Sequence, residues 1–337
     1  MKRWVELLSE TMSRKLVFLD VGARGGVKKP WDKFGELIYP ILVEPDAEEA
    51  TKLINELDGS GGRVIQYALW KERASLNLFL TQSRGCSSCF QPNEKFLKYF
   101  PNPERFLIEK TIQIEGISLD QLTQEEEMPS VDFAKIDVQG AELSVLKGGS
   151  KSFADDLVGL EVEVEFSPMY VGQPLFSDVE KYIRETLALE LWDISKTYWK
   201  CSSGMQFGAI KGKLIMGDAL FFRGIESLDD WYDRLGSQVS EQKIIMLIFT
   251  ALVYGYGDYA WQVLIHARSR RKLCNVAVYK LEQAVQALGN GLRPLKNGHG
   301  RLFAVLNAIA KIFKPSHRGW ASVDDGLGSG RRGPFWT

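Results

Sequence analysis

The stretch Lys15-Leu16-Val17-Phe18-Leu19-Asp20-Val21-Gly22-Ala23-Arg24-Gly25-Gly26 decides the fold. It starts as a short continuous apolar run and closes in a turn of small residues, the pattern of a buried parallel strand. Glycine at the carboxyl end lets the chain turn sharply and lets a ligand approach the main chain. The next apolar run, Tyr39-Pro40-Ile41-Leu42-Val43, ends in Glu44-Pro45-Asp46. Glu44 follows Asp20 by 24 positions, close to the ~20-residue interval at which an acid reaches a ribose diol in an open α/β sheet. The two strand tips read as a nucleoside-binding half-site.

Outward from there, Pro30 to Leu37 suggests a short helix with proline in its first turn, and Ala47 to Leu57 a longer one. Gly59, Gly61 and Gly62 break that helix, and Arg63 to Leu69 is a third strand. This strand–helix rhythm predicts a parallel sheet with right-handed crossovers. Residues 70–130 interrupt it with two alternating strand candidates, Ala74–Leu80 and Thr111–Ile117, and an intervening loop of the kind that covers a ligand edge. A fourth strand runs to Asp137, followed by a glycine turn and a helix to Lys147 that Gly148-Gly149 stops. Val158 to Phe166 is a fifth strand whose alternation puts Glu161, Glu163 and Glu165 on one face, with Glu161 expected in solvent. Residues 177–188 are helical, and 189–195 and 214–223 complete seven strands.

Beyond residue 224 the apolar period turns helical, over 241–254, 258–270 and 274–288. The expected organisation is a capping helix over 1–15, an α/β domain over 16–223, an all-helical subdomain over 224–314 and a disordered tail over 315–337. A basic amphipathic helix over 301–314 either packs on the protein or makes a peripheral membrane contact.

The formal net charge of −1 argues against a nucleic-acid binder that tracks phosphates through a basic stripe. Four irregularly spaced cysteines point away from a disulfide framework and toward a reducing compartment. The N-terminus lacks the apolar core of an export signal. The longest apolar stretch, 244–254, falls short of the ~20 residues needed to span a bilayer. A cytoplasmic protein is expected, of unspecified oligomeric state.

Candidate motifs narrow the chemistry. Counting from Gly22, a dinucleotide fingerprint needs glycine where Arg24 and Val27 stand, and no Gly-Lys-Ser/Thr follows for a phosphate loop. A nicotinamide dehydrogenase is therefore disfavoured. Cys86-Ser87-Ser88-Cys89 has no second ligand pair, which leaves zinc weakly supported. His266, His299 and His317 all lie outside 16–223, which leaves a Ser-His-Asp hydrolase without its base. Asp137 ends a central strand at the ligand edge, where it serves as a general base or a metal ligand, or else caps the following helix.

Asp20-Val21-Gly22-Ala23, with an acid ending the next strand, resembles the S-adenosylmethionine site of class I methyltransferases. Asp132-Phe133-Ala134-Lys135-Ile136-Asp137-Val138-Gln139-Gly140-Ala141-Glu142-Leu143 with Leu146-Lys147-Gly148 resembles, more narrowly, the FkbM-type methyltransferases. So do Glu163 to Tyr170 and Gly172-Gln173-Pro174-Leu175-Phe176. The resemblance spans about 16–223 and implies a Rossmann-like seven-stranded sheet with an all-helical C-terminal subdomain. It also implies S-adenosylmethionine as cofactor and O-methylation of a sugar, glycan or polyketide hydroxyl.

On that resemblance Gly22 and Gly26 make room for the methionine part and Asp20 faces its ammonium. Glu44 accepts the ribose hydroxyls, Asp46 reaches toward the adenine, and Ala23, Ala68 and Leu69 complete the cofactor set. Ser87, Ser88, Glu163 and Tyr170 are implied on the acceptor side. Asp137 is the first candidate base and Glu165 the second. Two departures stand out. Gln139 replaces a customary Glu, which weakens a metal role there, and Arg24 replaces a smaller residue and can reach the cofactor carboxylate. A divalent metal at Asp137 would lower the hydroxyl pKa, but the sequence holds no complete ligand set. The rival reading is a catalytically silent methyltransferase-like module that binds nucleoside or glycan, with the helical region as its partner surface.

Overall fold

The computed structural model describes residues 3–57, 61–207, 211–235 and 237–291, together with 305, 306, 309, 319–323 and 327. Among these residues eleven strands form two sheets. They are β1 (Leu16–Val21), β2 (Ile38–Val43), β3 (Arg63–Ile65), β4 (Ala68–Leu69), β5 (Ala74–Thr81) and β6 (Ile108–Ile117), then β7 (Phe133–Ile136), β8 (Gly159–Glu165), β9 (Leu189–Trp199), β10 (Lys213–Arg223) and β11 (Ala321–Val323). The helices are α1 (Arg3–Ser9), α2 (Ala47–Leu57), α3 (Glu94–Leu97), α4 (Leu119–Glu125), α5 (Glu142–Gly148), α6 (Ser150–Asp156) and α7 (Phe176–Tyr182), then α8 (Leu228–Arg234), α9 (Ser237–Val253), α10 (Gly257–Ser269) and α11 (Asn275–Gly291).

The main sheet runs β11-β9-β10-β8-β7-β1-β2-β3. The pairs from β8 to β3 are parallel, while β10 lies antiparallel to β8 and β9. From β1 the chain goes to β2 and β3 on one side, then returns to β7 and β8 on the other. Strand order therefore reverses at β1, and the crevice outside its carboxyl end is where such sheets bind ligands. The seven strands read before residue 223 are all present, and the sheet is the open, mostly parallel α/β sheet expected. Two strand readings change. The stretch 63–69 divides, because β3 pairs with β2 while β4 pairs with β6. The tail expected to be disordered supplies β11, which pairs antiparallel with the outer edge of β9 and so covers an otherwise unpaired row of main-chain groups.

Strand alternation divides the core into two layers. Leu16, Phe18, Phe133, Leu220 and Phe222 face α1 and the C-terminal helices. Val17, Leu19, Val21, Ile136, Val162 and Phe221 face the other side, together with Leu122 of α4, Val145 of α5, Phe153 of α6 and Val179 of α7. From Ile244 to Tyr254 every side chain of α9 and the turn after it is buried, as befits a helix that is apolar all round. The helical C-terminal region thus shares one core with the sheet. Glu161 is a correction of the same origin. It was expected in solvent, but Tyr254 at the end of that helix covers it and donates to its Oε2 at 2.5 Å.

Asp132, just before β7, binds the layers together. It is fully buried, and Arg14 and Lys243 reach it at 2.5 and 2.9 Å, with the Val17 amide at 2.8 Å. The amphipathic stretch 301–314 lies mostly outside the described residues; Val305, Leu306 and Ile309 are exposed. Among the described residues no helix is long and apolar enough to cross a membrane.

Candidate active site

The site starts from the close approach of three strand ends. The Gly22 and Ala23 amides both donate to the Val43 carbonyl, at 3.0 and 3.1 Å, and fold the turn after β1 over the tip of β2. Gly22 has φ +84°, and a Cβ there would stand 2.0 Å from the Asp137 carbonyl oxygen. Only glycine fits this position. Gly22, Arg24, Glu44, Ala68, Leu69 and Asp137 line one cleft. Ser87 and Ser88 enter from the loop after β5. Residues far apart in sequence, and expected at the ligand edge, therefore meet in one place.

Other expected residues do not reach it. Ala23 is buried with Leu42 and Leu53, and the α side of Gly26 faces Glu56 and Leu53 of α2, so both shape the turn instead of the cleft. Asp20, Asp46, Glu163, Glu165 and Tyr170 are likewise outside the cleft lining. Ser87 Oγ accepts from the Thr81 amide at 3.1 Å and Ser88 Oγ donates to the Gln139 carbonyl at 2.7 Å, which commits both hydroxyls to holding the loop.

The acids at the strand tips suit a cationic nucleoside. Asp20 is buried with Oδ1 unpartnered. Burial pushes its carboxyl up to about 6, against the opposing pull of Lys135. Glu44, also buried, accepts from the Asp46 amide at 2.9 Å. Arg24 does not point along the cleft as a free cation. It pairs with Asp46 at 2.8 Å and Glu49 at 3.5 Å, and stands 3.9 Å from Glu44. These contacts hold the acidic side chains after β2 together while Arg24 still lines the cleft.

Asp137 does not cap the next helix; Ala141 occupies that position, and the Glu142 carboxylate takes the Val138 and Gly140 amides at 3.0 and 3.1 Å. Instead Asp137 accepts from Lys135 Nζ at 3.3 Å and Gln139 Nε2 at 3.1 Å. Burial works against its ionisation, but Lys135 and then Gln139 more than offset it and hold the carboxyl below the ordinary range. Glu163 and Glu165 are displaced the other way by burial, reinforced by neighbouring acids, and lie well above the usual value. Glu165 is therefore shifted toward its protonated form and does not line the cleft.

The carboxylates of Glu142, Glu163 and Glu165 approach within 4.8 Å of one another, the one such ligand-capable group among the described residues; Asp137 is not in it. Lys135, Gln139 and Arg84 were not picked out from sequence as site residues. Lys135 stands two residues before Asp137 on a strand, so alternation alone puts both on one face.

A model of the methyltransferase FkbM domain matches residues 20–187. No curated protein sequence matches the chain. Similar solved structures include methyltransferase FkbM from Methylobacillus flagellatus KT, 15% identical with TM-score 0.37, covering 62% of this chain and 43% of that one. Precorrin-6y C5,15-methyltransferase from Geobacter metallireducens is 8% identical with TM-score 0.32, over 66% and 87%. TrmK of M. capricolum, solved with S-adenosyl-homocysteine, is 6% identical with TM-score 0.32, over 85% and 94%. The chain thus spans less than half the length of the Methylobacillus protein.

Proposed function

The chain belongs, through residues 20–187, to the FkbM family of S-adenosylmethionine-dependent methyltransferases, and from that premise we propose that it methylates a hydroxyl oxygen of a sugar, glycan or related small metabolite. The residues present fit the cofactor. The buried, unpartnered Asp20 oxygen suits an ammonium, and Glu44 at the tip of β2 suits a ribose diol. Bound there, S-adenosylmethionine supplies a methyl group on a cationic sulfur.

One observation carries the oxygen-acceptor reading. Asp137 is a carboxylate of the cleft lining that its neighbours hold below the ordinary range, and no histidine lies in 16–223 to compete for the role. A hydroxyl oxygen that gains a methyl becomes strongly acidic, so a positioned carboxylate suffices even when its own basicity is low. Asp137 takes the hydroxyl proton as the oxygen's new bond forms, and passes it to water at the cleft mouth. Alignment of the acceptor over Asp137 supplies much of the acceleration, up to ~7–11 kcal/mol in well-oriented systems. A cytoplasmic setting belongs to the same proposal, supported by four cysteines that are all free.

The test is incubation with methyl-labelled S-adenosylmethionine and a panel of cell glycans and small polyols, read by mass spectrometry. A methyl ether is expected on one acceptor class, and Asp137→Asn should lower kcat by about 10²–10⁴ while S-adenosylmethionine affinity changes little. Full turnover in that variant, or label on nitrogen or nucleic acid instead, contradicts the proposal.

A further inference from the structure

We infer that Gln139 is a positioning residue of the methyl-transfer site, orienting the Asp137 carboxylate and tying it to the loop that covers the cleft. The inference rests on Asp137 being the proton acceptor. Gln139 stands two residues beyond Asp137, in the turn between β7 and α5, with φ +57°. A side chain in that left-handed region is strained, and such strain persists where the surroundings over-determine it. Here both ends of the amide are engaged. Nε2 donates to Asp137 Oδ1 at 3.1 Å and to Glu163 Oε2 at 2.5 Å. Oε1 accepts from the Tyr170 hydroxyl at 2.9 Å. The main-chain carbonyl accepts from Ser88 Oγ at 2.7 Å. One residue therefore joins the tip of β7, the strand β8, the segment after β8 and the loop after β5.

The chemistry turns on donor polarity. Two carboxylates converge on a single amide nitrogen, and an amide is the smallest uncharged group that offers them hydrogens on one end and an acceptor to Tyr170 on the other. The field around Asp137 makes that choice consequential. Lys135 on its own strand and Lys28 after β1 favour its charge. Glu163 on β8, itself pushed up by Asp137, shares a hydrogen bond with it that also favours its charge, while Asp20 on β1, Glu142 at the start of α5, Glu161 and Glu165 on β8 and Asp218 on β10 oppose it. Tyr170 lies against the same acids. With acids outnumbering lysines, a carboxylate in place of the amide would present one more acceptor and draw a proton into the cluster. A glutamate at this position would therefore change which oxygen carries the proton, with almost no change of shape.

The experiment is a carboxyl NMR titration of the intact chain carrying isotope-labelled aspartate and glutamate, with Asp137 assigned through Asp137→Asn. In the unmodified protein Asp137 is expected to titrate below the ordinary carboxylate range. In Gln139→Glu, which keeps the side-chain shape, that titration should rise by about one pKa unit or more. Gln139→Ala should raise it as well. On the acceptor found with labelled cofactor, Gln139→Glu should lower kcat about tenfold or more at neutral pH with the cofactor KM unchanged. Its activity should partly recover as the pH falls and the introduced carboxyl gains a proton to donate, whereas Gln139→Ala should show no such recovery. An Asp137 titration unmoved in the folded Gln139→Glu protein overturns the inference. If instead the titration shifts but Asp137→Asn remains active, the proton-acceptor reading fails while the positioning contact stands.

Discussion

Asp20 costs the fold stability where it stands. Its carboxyl is buried, unpartnered on Oδ1 and raised to about 6. A raised carboxyl pKa means that the folded state holds its proton more tightly than the unfolded chain. The resulting destabilisation is absent below the unfolded value, develops between about pH 4 and 6, and is constant above that. Asp20→Asn should therefore stabilise the free protein by up to ~3 kcal/mol at pH 7 and by almost nothing at pH 4. The same variant should bind S-adenosylmethionine more weakly. Urea denaturation at the two pH values, with calorimetry at pH 7, checks both; equal stability gains at pH 4 and 7 would contradict the assignment. At this scale the sequence placed Gly22, Glu44 and Asp137 at strand ends, and the structure brings the three into one cleft. The sequence did not show the ion pairs of Arg24 or the burial of Glu165, because charge and alternation say which way a side chain points and nothing of what meets it.

At the scale of elements, the covering loop is held from an unexpected direction. The Arg105 guanidinium lies 4.3 Å from the ring centres of both Trp199 on β9 and Trp320 just before β11. The two indoles are themselves 5.5 Å apart, and cation–π contacts of this kind contribute ~0.5–2 kcal/mol each. Tyr170 and Phe106 extend the cluster toward the loop that carries Ser87 and Ser88. Trp320→Ala is expected to speed amide exchange over 103–107 about tenfold or more while leaving β1 and β7 protected; unchanged exchange would show that the clasp does not hold the loop. None of this was legible in the sequence. Residues 315–337 are rich in glycine and carry no apolar period, and a three-residue edge strand leaves no periodic signal. The division of 63–69 between two sheets was hidden for the same reason, since β-pairing partners are set by tertiary contacts that a local pattern does not contain.

At the scale of the molecule, the described sheet and C-terminal helices share one apolar core through α9. The apolar run 244–254, too short for a bilayer, turns out to be the central helix of the core, against Phe18, Phe133 and Phe222 of the sheet. Asp132 locks that arrangement through Lys243 of α9 and Arg14 after α1. Removing one partner of a buried ion pair strands the other charges, so Asp132→Ala should cost ~3–5 kcal/mol at neutral pH. Burial opposes the ionisation of Asp132, but Arg14 and Lys243 prevail and depress its pKa. Its contribution is therefore present above the ordinary carboxylate value and fades as pH falls through the lower folded value. A single calorimetric transition is expected, lowered as a unit in Asp132→Ala; two separated transitions would contradict a shared core. Fold class and the location of the cleft were readable because strand runs and their glycine punctuation are local. The fusion of helices to sheet was not, because periodicity marks an apolar face without naming its partner. The most direct measurement of the central claim is calorimetric titration of S-adenosylmethionine into the native protein and into Glu44→Gln. The strand-tip cleft predicts saturable binding that weakens about tenfold or more in the variant, the cost of a lost charged hydrogen bond. Equal affinity in the two proteins, or no binding to either, would place the cofactor elsewhere.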